Sequence, residues 1–218
     1  MKHVTSGRIA LVILDLQNDF LAPEGAYARG QTVSAETLLL PARVAPVAQA
    51  IKQHRGLVTS SLFTLWPDAE GQPMISPHLL ERRPFLRAGD FEPGSWGQAN
   101  VDAIAPWVDV SVCKVAYSAF FNTQLDWVLR RAGVDTVVVC GIVTNGGVAS
   151  TVRDAHMRDY RTVVLSDGCA TFTDAAHQAA MTDMSSVAEV MTCAQFLNTL
   201  WLPPSNALLI STLPYIRR

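Results

Sequence analysis

Short runs of β-branched residues alternate with longer stretches of helical period, and this alternation constrains the chain more than any other feature. A strand, an amphipathic helix and a second strand close most readily as a crossover. The strands then lie parallel, buried on both faces and covered by helices. Six such runs stand at residues 9–14, 57–63, 110–115, 136–141, 162–165 and 187–192. The spacing predicts helices over 41–54, 123–132, 148–160 and 174–184. Pro41 falls near the start of the first, Gly56 and Gly133 follow the first two, and Asp174 is placed to cap the last. The expected fold is α/β: a three-layer α-β-α sandwich around a six-stranded, mainly parallel, doubly wound sheet.

A chain of 218 residues with 49% hydrophobic side chains can bury a core without staples, and it reads as one domain over 1–218. Its 17 Lys+Arg against 19 Asp+Glu leave a charge of -2, no basic excess for a phosphate backbone or an anionic membrane surface. Neither nucleic acid nor membrane is an expected partner. Cys113, Cys140, Cys169 and Cys193 lack CxxC spacing, which fits a reducing compartment. The first apolar run ends in Asp15 instead of a cleavage site, so the expected location is cytoplasmic. Two segments break the rhythm. Residues 65–109 are rich in Pro and Gly and lack a long helix, as binding loops do. Residues 201–218 are apolar for a free end and are expected to dock on the domain or on a neighbouring subunit.

In an open parallel sheet the ligand crevice lies beyond the carboxyl ends of the strands. Asp15, Lys114, the turn Thr144-Asn145-Gly146-Gly147 and Asp167 all stand there. Asp15 alone reads equally as a turn former. Lys114, between Cys113 and Val115, must find an anion or lose its charge, and Asp15 is the economical partner. Such a pair serves catalysis or forms an internal salt bridge. The glycines permit a sharp turn whose following helix presents free N–H groups to an anion, though a plain connection between strand and helix has the same composition.

Taken together, these residues resemble the isochorismatase-like family, which includes cysteine amidohydrolases. The resemblance spans about Ala10 to Leu197. It is carried by VILDLQNDF (Val12 to Phe20), the stretch from Lys114 to Gly141 containing YSAFFNTQLDW, TNGGVASTVRDA (Thr144 to Ala155) and VVLSDGCATF (Val163 to Phe172). It implies an acid at Asp15, a lysine at Lys114 and, where the amidases carry their nucleophilic cysteine, Gly147. It also implies a non-proline cis peptide between Val143 and Thr144. Glycine at that place is found in isochorismatases, which cleave a vinyl ether by acid catalysis without a covalent intermediate. Those enzymes put an aromatic-Ala-His sequence before the glycine, whereas Val143-Thr144-Asn145-Gly146 looks amidase-like.

The stretch that holds a metal in nicotinamidases supplies Asp68 and no histidine here. His54, His78, His156 and His177 lack ligand spacing, so neither metal nor other cofactor is expected. For substrate contacts the long loop offers Trp66, Arg82, Arg83, Arg87, Phe91 and Trp96, of which Arg87 and Trp96 are favoured. Asn145 and Gly146 of the turn, with Tyr117 and Phe120 just past Lys114, complete the expected pocket. Three functions fit the sequence. The first is a hydrolase of a small carboxylated or amide-bearing metabolite using Asp15 and Lys114. The second is a cysteine amidohydrolase whose nucleophile has been replaced, and the third is a lapsed enzyme that keeps the crevice for binding. A homodimer or homotetramer is expected in each case.

Overall fold

The computed structural model describes residues 8–201, so the expected docking of the tail lies outside the described residues apart from the backbone of Trp201. Six strands are present there: β1 (Arg8–Leu14), β2 (Leu57–Phe63), β3 (Val110–Lys114), β4 (Val134–Ile142), β5 (Arg161–Ala170) and β6 (Glu189–Met191). They form one sheet in the order β3-β2-β1-β4-β5-β6, every neighbouring pair parallel. The eight α-helices of the described residues are α1 (Asn18–Leu21), α2 (Ala26–Arg29), α3 (Ala35–Gln53), α4 (Pro77–Arg82), α5 (Leu125–Arg131), α6 (Ala149–Met157), α7 (Asp174–Met184) and α8 (Cys193–Trp201).

β1 and β4 are buried at successive residues, so both faces of the sheet are covered. α3 packs across the sheet and against α8, while α5 and α6 pack on β4. From β1 the chain builds outward through β2 and β3, then returns to lay β4, β5 and β6 on the other side. The strand order thus reverses between β1 and β4, opening a crevice at their carboxyl ends.

The expected architecture is the one observed, and its departures are local. α3 begins at Ala35, with the Ser34 hydroxyl accepting from the Thr37 amide, so Pro41 and Pro46 lie inside the helix instead of at its start. Two prolines cost about 3 kcal/mol each. Burial of Leu40, Val44, Val47 and Ile51, at about 1.5–3 kcal/mol each, offsets that cost. Thr173, not Asp174, caps α7 by accepting from the Ala176 amide. The expected fifth strand ends at Leu165, yet β5 continues for ten residues in all. A register shift opposite β4 lets Cys169 pair with Gly141 past the polar Ser166-Asp167-Gly168 step. Asp167 therefore lies inside β5, where its carboxylate accepts from the Cys193 amide at 2.6 Å and ties down the start of α8.

Candidate active site

The chain leaves β1 by a sharp turn. Asp15 takes φ 60°, a left-handed conformation that aspartate tolerates, and its amide donates to the Ser61 carbonyl. The next residues fasten the loops around the site. The Gln17 amide group accepts from the Phe63 amide and donates to the Phe63 and Gln98 carbonyls. The Asp19 carboxylate accepts from the amides of Ala26 and Phe91. With those struts in place, the Asp15 side chain meets Lys114 from the end of β3, Oδ2 to Nζ at 2.8 Å.

Both partners of this pair are buried, at 7% and 2% side-chain exposure. Lys114 also donates to the Ala116 carbonyl at 3.1 Å and lies 5.5 Å from the Phe63 ring centre. Asp15 Oδ1 has no hydrogen-bond partner. Burial pushes the Asp15 carboxyl above its ordinary value, and Lys114 only partly reverses that push. The acid is thereby easier to protonate than an exposed aspartate.

After β4 the backbone makes one π-helical turn, Thr144–Val148, closed by the Val148 amide donating to the Val143 carbonyl. The cis peptide is Ile142–Val143, one bond before the expected Val143–Thr144. The reason for the offset is that β4 runs on to Ile142, and Val143 already accepts the first turn's hydrogen bonds. Two links hold the turn from behind: Thr144 Oγ1 to His177 Nδ1 at 2.9 Å, and the Thr171 hydroxyl donating to Asn145 Oδ1 at 2.8 Å. Gly147 lines the crevice. A Cβ there would stand 3.2 Å from the Ile142 carbonyl oxygen, 3.3 Å from that of Tyr117 and 3.5 Å from Leu14 Cδ2. A side chain fits with small adjustment.

These elements surround a pocket with about 480 Å³ of empty space, counting space open to solvent. Asp15, Lys114, Gly147 and Tyr117 share it, as the sequence suggests. Other expected contacts are placed elsewhere. Phe120 is buried against Tyr160, with Arg158 over its ring, so it serves packing. Asn145 points away to Thr171, and Gly146 stands behind Val143. Arg87 is exposed and its backbone is tied to Asp90, while Trp96 is half-exposed with its carbonyl accepting from Asn18. The loop instead contributes Leu79 and Arg83 of the α4 segment. Phe20, Tyr27 and Phe172 were missed. Phe20 and Tyr27 follow the acid too closely to read as anything but core.

Among the described residues no cysteine lines this pocket. Cys140 and Cys169 are buried, and burial pushes both thiols well up; burial and Asp167 push Cys193 up to about 12. Among the described residues no three His, Cys, Asp or Glu side chains gather to hold a metal ion.

Comparison with known proteins places this geometry among relatives. The family model described as the isochorismatase domain matches residues 9–195. An uncharacterized isochorismatase family protein, YwoC of Bacillus subtilis, is 31% identical over 174 residues, covering 80% of this chain and 84% of that one. A ureidoacrylate amidohydrolase, RutB of Methylobacterium radiotolerans, is 34% identical over 180 residues, covering 78% of this chain and 67% of that one. In structure, a cysteine hydrolase from Pseudomonas syringae aligns with a TM-score of 0.76 at 26% identity, covering 92% of this chain and 97% of that one.

Proposed function

The chain belongs to the isochorismatase family of hydrolases, and on that footing we propose that it hydrolyses a small carboxylated or amide-bearing metabolite in the Asp15 pocket. Asp15 is the general acid and base, Lys114 its electrostatic partner, and no covalent thiol intermediate forms. The observation that carries this reading is the buried Asp15–Lys114 pair, whose second carboxyl oxygen is unpartnered in a pocket without a thiol.

On a vinyl ether, the Asp15 proton passes to the terminal methylene carbon and leaves an oxocarbenium ion. Water adds to that cation and returns a proton to the Asp15 carboxylate, and the resulting hemiketal separates into ketone and alcohol. A carboxyl raised by burial supplies the acid form, and Lys114 stabilises the carboxylate left after each transfer. Gly147 leaves space for the substrate beside it. The protein acts in the cytoplasm as a homodimer or homotetramer, a state that light scattering tests directly.

A second reading is a cysteine amidohydrolase with its nucleophile replaced. It is favoured by the relatives named ureidoacrylate amidohydrolase and by the room for a Cβ at position 147. Turnover of isochorismate and of a panel of amides, by the unaltered chain and by Gly147→Cys, separates the two. Acid catalysis predicts that the unaltered chain turns over its substrate and that the thiol crowds the pocket. The variant then slows about tenfold, the scale of an overpacking cost of about 1–3 kcal/mol. Gain of amide hydrolysis together with iodoacetamide labelling at position 147 would move the assignment to the amidohydrolase. Silence of both proteins across the panel would leave a binding protein.

A further inference from the structure

The pocket holds three charged side chains. Lys114 is paired with Asp15, whereas the Arg83 guanidinium has no carboxylate beside it in the pocket. Among the described residues Arg83 forms no ion pair. It is nonetheless held in place: its Nε donates to the Tyr27 hydroxyl at 2.7 Å, and Tyr117 lies close by. Tyr27 is itself fixed, buried against Phe20 at 4.5 Å and Phe85 at 5.1 Å between ring centres. The two tyrosines orient the guanidinium, and its remaining N–H donors are left to meet a ligand.

We infer that Arg83 reads a carboxylate, and that the substrate is a small monocarboxylate with a flat, apolar body. This inference rests on the proposed hydrolysis at Asp15 and names the substrate class for it. A guanidinium presents paired donors that match the two oxygens of a carboxylate, and holding it in advance reduces the entropy lost on binding. The rings of Phe20, Phe63, Tyr117 and Phe172 give the body of such a molecule an aromatic wall. A neutral amide would leave the half-buried cation without a counter-charge.

Calorimetric titration of the full chain at low salt tests the assignment with three acid/amide pairs: benzoate and benzamide, cinnamate and cinnamamide, crotonate and crotonamide. In at least one pair the acid is expected to bind about tenfold tighter than its amide, the scale of a charge-assisted hydrogen bond. Arg83→Gln erases that preference by weakening the acid and leaving the amide within about twofold. Arg83→Lys keeps the charge, loses the paired geometry and retains part of the preference. It carries the comparison if thermal melting shows that Arg83→Gln does not fold. Absence of acid preference in all three pairs, including absence of binding, overturns the inference, as does an unchanged preference in Arg83→Gln. Asp15→Asn removes a negative charge and keeps the acid preference. If that variant still turns over substrate, the catalytic proposal fails while the assignment of Arg83 stands.

Discussion

Asp15→Asn is expected to lower turnover by about 10²–10⁴-fold, the usual share of a general acid or base, while substrate still binds. The carboxamide has nearly the same shape and keeps a hydrogen-bonding contact to Lys114, but it has no proton to give at the relevant acidity. The same argument fixes a pH dependence. The Asp15 carboxyl is raised above 3.8 by burial, so the acid form persists to higher pH than in an exposed aspartate, and turnover falls as pH rises through that shifted value. A pH-rate profile of the unaltered chain should show this descending limb. Turnover by Asp15→Asn within threefold of the unaltered chain would remove the carboxyl from the chemistry.

Lys114→Met is expected to cost about 3–5 kcal/mol of folding stability, the price of leaving a buried charge without its partner. The methionine fills the same volume, so the loss comes from the Asp15 carboxyl, whose Oδ1 is already unpartnered and which would keep no cation at all. The double variant Asp15→Leu/Lys114→Met supplies the control. With both charges gone, the pair of substitutions should cost less than the sum of the two single ones, by about 0.5–3 kcal/mol. Urea denaturation of the four proteins measures that difference. Additive costs would mean that the two groups do not stabilise one another in solution.

The fold and the centre of the site were legible because both follow from short-range rules. Strand runs announce a buried parallel sheet, and polar residues that end them, such as Asp15 and Lys114, must gather at its carboxyl edge. Loop residues obey no such rule. Arg83 reaches the pocket and Arg87 does not because the segment between β2 and β3 is shaped by partners distant in sequence, among them Asp19 on the Phe91 amide and Arg29 on Asp90. Phe120 looked like a pocket residue by proximity to Lys114. Its ring is claimed by Tyr160 and Arg158, contacts that the chain makes only after β4 and α6 are in place. The prolines of α3 mislead for a related reason: local propensity is overridden by the apolar face that the sheet requires.

The hydrogen bonds of Gln17 and Asp19 join the strand end that carries Asp15 to the loops beside the pocket. Gln17 and Asp19 lie two and four residues beyond Asp15, so these loops cannot detach without dragging on the strand end that aims the carboxyl. Opening of these loops is then expected to be a concerted local unfolding of the segment, not an independent movement of one loop. In hydrogen exchange the amides of Ala26, Phe63 and Phe91, which these side chains hold, should open as one cooperative unit.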